Sequence, residues 1–278
     1  MNIPKYFISL LLLVFVVLSS ELIAQEKILF SPMADVEASV KTVPCDQKLR
    51  LEGVRQLFKS AGATDEEILI EKFDKDKTSN LVVRKKGETD ETIIVGAHYD
   101  RTDSGCGAVD NWTGVSIISH IYKSLRPLNT KKSYVFVAFD REEVGLIGSK
   151  QMVKTMPKEQ IEKTCSMINF DSFGQALPMA LRNASSPKLV KLAENLGTEN
   201  KFKFQAVTIE GASSDSASFQ DKKIPAITLS GLGGDWMKVL HTSSDKIDKV
   251  NMESVYLGYR FGLIYLAKLE AAGCGDYK

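Results

Sequence analysis

Charge of neither sign dominates this chain of 278 residues: 36 lysines and arginines stand against 35 aspartates and glutamates, a formal charge of +1. Its lysine pairs, Lys85–Lys86, Lys131–Lys132 and Lys222–Lys223, are scattered along the sequence. They fit solvated loops rather than a continuous basic face, so no nucleic-acid partner is expected. There is no internal repeat and no low-complexity linker. Cysteine is scarce: Cys45, Cys106, Cys165 and Cys274 are the four, and none falls in a CxxC spacing. They fit an oxidising compartment and allow three pairings, which sequence cannot choose among. Cys45 and Cys274 lie near the two ends, where a bridge could tie the termini together. Histidine is scarcer still, with three residues. The N-terminal apolar run, Phe7–Leu18, is twelve residues long, short of the roughly 20 that span a bilayer.

That run follows Lys5 and precedes Ser19, Ser20 and Ala24, so residues 1–24 read as a secretory signal cleaved before Gln25. Cys45 is too far along to serve as a lipid attachment point at that boundary. The expected product is exported, periplasmic or secreted, with no stable membrane association after cleavage. Residues 25–278, about 250 with ordinary apolar content, suffice for a sizeable core and make most economically one domain.

Helical and extended patterns alternate along that domain. Asp46–Ala61 has helical spacing and ends at Gly62; Ile68–Phe73, Asn80–Val83 and Glu91–Ala97 read as strands. Helices are expected over Trp112–Leu125, Ile147–Met156, Lys188–Leu196 and Glu253–Ala271, and strands over Tyr134–Phe139, Ser166–Phe170 and Ala226–Leu229. The alternation predicts an α/β sandwich with a largely parallel central sheet, whose chemistry belongs at the carboxyl ends of its strands.

Three strand ends carry potential metal ligands. IIVGAHYD ends in His98 and Asp100, VFVAFDREE in Glu142 and Glu143, and MINFDSFG in Asp171. Asp110 precedes the helix near Trp112, and His241 sits in LHTSSD. A lone aspartate after a strand is usually a turn or cap residue. Several such groups at one sheet edge point instead to a metal site. On a strand, residues two apart face the same side, so Asp100 can lie beside or behind the His98 ring and fix its orientation. Mixed imidazole and carboxylate ligation suits Zn²⁺, and would also hold Mn²⁺ or Co²⁺. Asp110 has two oxygens and could bridge two ions. Adjacent Glu142 and Glu143 must diverge, so one can ligate while the other accepts a proton as general base; chemistry alone does not say which.

The ordered segments GAHYD, GAVDN, FDREEVGLIGS, INFDSFG and LHTSSD resemble the co-catalytic zinc exopeptidase family, which includes bacterial leucyl aminopeptidase, glutamate carboxypeptidase, transferrin receptor and the glutaminyl cyclases. The resemblance runs through roughly residues 80–270 and implies a three-layer α/β/α sandwich around a mixed sheet. It implies His98, Asp171 and Asp110 around one zinc, and Glu143, His241 and the bridging Asp110 around the other. Glu142 matches the family's general base and Asp100 the carboxylate behind the first histidine. One departure is clear: family members commonly carry SDH followed by Phe or Trp, whereas here Ser214-Asp215-Ser216-Ala217-Ser218-Phe219 puts Ser216 in the histidine's place. That leaves the ligand set whole and puts the substrate-side contacts in question.

The remaining polar residues read as structural. His120 lies within a helix, Cys106 is expected in a disulfide or as a free thiol rather than as a ligand, and Asp103 and Ser104 as turn chemistry. Asp245 and Asp248 are expected as solvated loop acids, with an alternative in which one orients His241. Gly231–Leu240 is a pocket wall carrying Trp236, or a plain surface loop. The leading expectation is an exported aminopeptidase that hydrolyses N-terminal residues from peptides with two zinc ions per chain. The second is a glutaminyl cyclase, a single-zinc acyltransferase in which the substrate's own amine attacks. WMKVLHT leans that way, while FDREEVGLIGS, unbroken into its helix, leans to the peptidases. The third, a non-catalytic binding module, would be signalled by lost ligands, and none is missing.

Overall fold

The computed structural model describes residues 29–278, so the expected signal at 1–24 lies outside the described residues. The described chain opens with α1 (Met33–Val40) and α2 (Gln47–Ser60); Asp46 caps the latter, its side chain accepting from the Lys48 N–H. Strands β1 (Ile68–Phe73), β2 (Thr78–Lys85) and β3 (Thr92–His98) follow, then α3 (Thr113–Leu125), β4 (Ser133–Phe139), α4 (Ile147–Thr155) and α5 (Lys158–Lys163). The remainder comprises β5 (Thr164–Phe170), β6 (Met179–Leu181), α6 (Pro187–Glu199), β7 (Gln205–Val207), α7 (Ser216–Gln220), β8 (Ala226–Ser230) and α8 (Met252–Ala271).

One eight-stranded sheet runs in the order β1-β2-β4-β3-β5-β8-β6-β7. Its centre, β4-β3-β5-β8, is parallel, and antiparallel pairs enter at β1-β2, β2-β4 and β8-β6. The sheet is mixed, as the resemblance implied. Alternate strand residues feed opposite cores. Leu81, Val83, Ile93, Val95 and Phe136 pack with α1, α2, α3, α6 and α8, whereas Val82, Ile94, Val135, Val137 and Phe139 pack with α4 and α7. Helices on both faces of a sheet buried on both sides make the three-layer sandwich. Among the described residues, no helix is long and apolar enough to cross a membrane.

Each longer element expected from periodicity is present, within a few residues of its expected ends. The elements that periodicity missed are short: α1, α5 and α7 span eight, six and five residues, β6 and β7 three each. Such segments hold too few periods to read and are fixed by the surfaces they pack against. The cysteine expectation needs correction. Cys45 pairs with Cys106 and Cys165 with Cys274, so no Cys45–Cys274 bridge joins the ends. Cys45 precedes α2, which packs beside α3 next to the loop carrying Cys106, whereas the chain after α8 returns to the start of β5.

Candidate metal centre

The parallel register aligns the ends of β3, β4 and β5: His98 pairs with Phe139, and Gly96 with Asn169. His98 is therefore the last residue of β3, while Asp140–Glu143 and Asp171 emerge beside it at the same edge. Gly148, at the start of α4, sits so close that a Cβ there would lie 2.4 Å from Asn80 Oδ1 and 2.5 Å from the Asp140 carbonyl. Only glycine lets the helix start that near the strand end. Four non-glycine residues with left-handed backbones flank the site, Arg141, Leu146, Ser172 and His241. Conformations of this kind are held where surrounding structure over-determines them.

The five residues proposed as ligands come together. His98 Nε2 lies 3.0 Å from Asp110 Oδ1 and 3.5 Å from Asp171 Oδ1. His241 Nε2 lies 3.1 Å from Asp110 Oδ2 and 3.0 Å from Glu143 Oε2. Asp110 thus offers one oxygen to each histidine. Two groups of three, His98–Asp110–Asp171 and Asp110–Glu143–His241, each bring their ligand atoms within 4.8 Å of one another. The first group is buried, whereas the His241 side chain is 59% exposed.

Asp100 does two things at once. Its Oδ1 stands 3.4 Å from His98 Nδ1, an ion-pair distance rather than a formed hydrogen bond. Its two oxygens also accept the backbone N–H groups of Glu142 (3.0 Å) and Glu143 (3.1 Å), which fixes the paired glutamates to the end of β3. Their side chains then part: Glu143 reaches His241, and Glu142 lines the cavity. Asp171 is held by hydroxyls, Ser172 Oγ at 3.0 Å and Ser214 Oγ at 2.5 Å, and Ser214 in turn accepts from Asn169 Nδ2.

The electrostatics are those of a site built for cations. Burial, the largest cause, pushes the Glu142 carboxyl well above the ordinary range against the pull of His98, and the charges of Asp171, Asp215 and Asp110 add to the rise. Burial and Asp110 likewise raise Glu143. Asp215, whose carboxyl oxygens are buried without a hydrogen-bond partner, is pushed up to about 7 by burial. Burial alone would lower His98, but Glu142 and the carboxylates of Asp100, Asp110 and Asp171 together raise it well above its ordinary value. His241 rises to about 10 through its hydrogen bonds to Asp110 and Glu143. Asp110 is buried, yet those two histidines hold it below its ordinary value. The clustered carboxylates of Asp100, Asp110, Asp171, Glu142 and Glu143 exceed what two imidazoles can neutralise, and Glu143 Oε1 is buried without a partner. Bound cations would satisfy both conditions, and the oxygen-and-imidazole donor set fits zinc.

A cavity of about 500 Å³ opens over these residues. Its acidic floor meets an apolar wall of Leu181, Ile209, Leu232, Trp236 and Leu240, with Glu210 on the same lining. Trp236 is thus a wall residue, one of the two alternatives for Gly231–Leu240. Ser216 lies elsewhere: it is fully buried, its hydroxyl donating to the Ala184 carbonyl and paired with Thr228 Oγ1. The substitution of histidine by serine therefore turns the side chain into the fold, while Ser214, two residues earlier, reaches Asp171.

Asp245 corrects another expectation. It is neither solvated nor in contact with His241; it is buried, accepting the backbone N–H of Val109 at 2.7 Å and of Asp110 at 3.1 Å. Burial pushes it up to about 6 against those hydrogen bonds. Asp245 lies four positions after His241, and no pattern in one sequence distinguishes such an aspartate from a loop acid. Cys106 is in a disulfide, as expected, and Asp248 is exposed beside Lys249. His120 is structural and buried, between Ser31 Oγ and Ser39 Oγ at 2.9 Å each.

A family model described as Peptidase family M28 matches residues 80–256. Leucine aminopeptidase 2 of Arthroderma otae is 26% identical over 228 residues, covering 71% of this chain and 46% of that protein. Aminopeptidase YwaD of Bacillus subtilis is 24% identical over 197 residues, covering 65% and 42%. The chain thus spans less than half the length of these two relatives. A zinc aminopeptidase from Bacillus subtilis superposes with a TM-score of 0.63 at 21% identity, over 72% of this chain and 52% of that one. A glutaminyl cyclase from an Acidobacteriales bacterium superposes with a TM-score of 0.74 at 17% identity, over 90% and 98%.

Proposed function

The chain belongs to peptidase family M28, and from that premise we propose that it is an exported zinc aminopeptidase removing N-terminal residues from peptides. The observation that carries this reading is Asp110, whose two oxygens face two different histidines at 3.0 and 3.1 Å and so join two ligand groups into one. A shared carboxylate is what a two-ion hydrolytic centre requires. His98, Asp110 and Asp171 would hold one zinc and Asp110, Glu143 and His241 the other. Bound zinc supplies positive charge that polarises the scissile carbonyl and makes water easier to deprotonate.

The chain's own groups do the rest. Glu142, desolvated and free of the ligand groups, takes the proton of the attacking water and returns it to the leaving amine. Asp100 is a positioning residue that holds Glu142 and Glu143 by their backbone N–H groups. The acidic floor receives the substrate's free α-ammonium group, which is how the site distinguishes a chain end from a chain interior. The apolar wall beside it fits an apolar first side chain. Residues 25–278 form the catalytic domain in this reading. The apolar run at residues 7–18 and two disulfides support export to an oxidising compartment.

One observation favours a second reading. The glutaminyl cyclase superposition covers nearly all of that enzyme's chain, whereas the aminopeptidases are longer. A cyclase would bind one zinc and form pyroglutamate from an N-terminal glutamine. The deciding experiment measures zinc per chain and assays an aminoacyl-chromophore panel alongside glutaminyl peptides, with chelator and with restored zinc. Two ions and chelator-sensitive release of N-terminal residues support the peptidase; one ion with pyroglutamate as the product overturns it.

A further inference from the structure

Asp110 is carried by a connection without regular structure, running from the end of β3 to the irregular turn before α3. Two residues hold that connection by its backbone. One is Arg50 of α2, fully buried and 5.1 Å over the ring of Trp112. Its guanidinium donates to the Tyr99 carbonyl, to the Cys106 carbonyl at 2.8 Å, to the Gly107 carbonyl at 3.1 Å and to the Pro44 carbonyl at 3.1 Å. The Cys45–Cys106 disulfide tethers the same connection to the residues just before α2.

The other is Asp245. Its carboxylate takes the N–H groups of Val109 and Asp110, and its own carbonyl accepts the Cys106 N–H at 2.7 Å. Gly105 has φ +72°, and a Cβ there would lie 2.6 Å from the Thr242 carbonyl and 2.9 Å from the Asp245 carbonyl. The connection and the His241 loop therefore touch backbone to backbone. Apart from the disulfide, the hydrogen bonds to the connection fall on its main chain, between Tyr99 and Asp110. Asp245 also lies in the loop that carries His241, so one residue ties the backbone of the shared ligand to that loop.

We propose that Asp245 and Arg50 are positioning residues, acting through this connection to set the aim of the Asp110 carboxylate and hence the affinity of both metal positions. The inference rests on the two-ion reading above. Asparagine at 245 has the shape of aspartate but presents an NH₂ group to one of the two backbone N–H donors, so it unlocks the clamp with little change in volume. Lysine at 50 keeps the charge but is a point donor and loses the planar fork that spans several carbonyls.

The test is zinc affinity, measured by competition with a chromogenic chelator, together with thermal melting of the chelator-stripped proteins. Asp245→Asn and Arg50→Lys are expected to bind zinc about 10- to 100-fold more weakly, the loss typical of removing a partner behind a ligand. Stripped Asp245→Asn is expected to melt within a few degrees of stripped wild type. Affinities within about twofold of wild type in folded variants, or a lowered stripped melting temperature with unchanged affinity, overturn the proposal. If neither variant folds, the Cys45→Ser/Cys106→Ser protein decides on the same criterion. It removes the tether without burying a new polar group. Wild type that takes up no zinc overturns the metal centre itself; wild type and variants that bind equally well overturn only the clamp.

Discussion

Two cavities of nearly equal size open on this molecule, and each contains a buried histidine. The one at the sheet edge measures about 500 Å³ and holds His98; the one among α1, α2 and α3 measures about 530 Å³ and holds His120. Around His98 stand Asp100, Asp110 and Asp171, and the ring is driven well above its ordinary value. Around His120 stand two serine hydroxyls in hydrogen-bond contact, and burial followed by the charge of Lys123 lowers it to about 4 against the weaker opposing pull of Asp35. Volume does not separate the two places. The kind of group facing the imidazole does: carboxylates demand cations, whereas hydroxyls can satisfy a neutral ring and ask for nothing more.

Substitutions at the two places should part company accordingly. Glu142→Gln is expected to cost about 10²–10⁴-fold in turnover, the typical worth of a general base. Its zinc content should be unchanged by metal analysis; activity within a few-fold of wild type would remove Glu142 from that role. Next in size, His98→Asn should weaken zinc binding by about 100-fold or more, at least the upper range seen for losing a mere supporting partner. His120→Asn, with no carboxylate ligand beside it, should leave affinity within about twofold. Equal losses at both histidines would abolish the contrast.

The smaller effects concern stability. His120 is lowered in the folded protein relative to 6.5, so the unfolded chain takes up its proton first. Its contribution is fully present above pH 6.5 and is lost as pH falls towards 4. The loss should reach on the order of 3 kcal/mol, read as the difference between wild type and His120→Asn in denaturant unfolding across that window. A pH-independent difference would show that the ring titrates normally. Smallest of all, Ser216→Ala should cost about 1–2 kcal/mol of stability through the unpaired Ala184 carbonyl and Thr228 hydroxyl. Turnover measured on the same protein should not change; a fall in kcat would return Ser216 to the substrate side.

Much of the site was legible in the order of the residues. His98, Glu142, Glu143 and Asp171 follow apolar runs that could only be strands, and parallel strands bring their carboxyl ends together. Asp110 and His241 lie in loops; their residue types made them candidates, and only the family resemblance assigned each to a metal position. Asp245 was misread because a buried aspartate accepting two backbone N–H groups and an exposed loop aspartate have the same local sequence. Arg50 was invisible for a like reason: its spacing on α2 marks a helix, not the four carbonyls it meets. The Cys45–Cys106 pairing could not be chosen from three possibilities.

The amino-acid sequence by itself determined the longer strands and helices and which side chains end those strands, because periodicity and local propensity act over a few residues. The three-dimensional packing alone decided that Asp110 faces two histidines, that Ser216 turns into the core, and that Asp245 and Arg50 grip the connection between β3 and α3. Those outcomes depend on groups separated by tens to more than a hundred residues. Their hydrogen bonds form only once burial of both faces of the sheet has brought the loops to one edge.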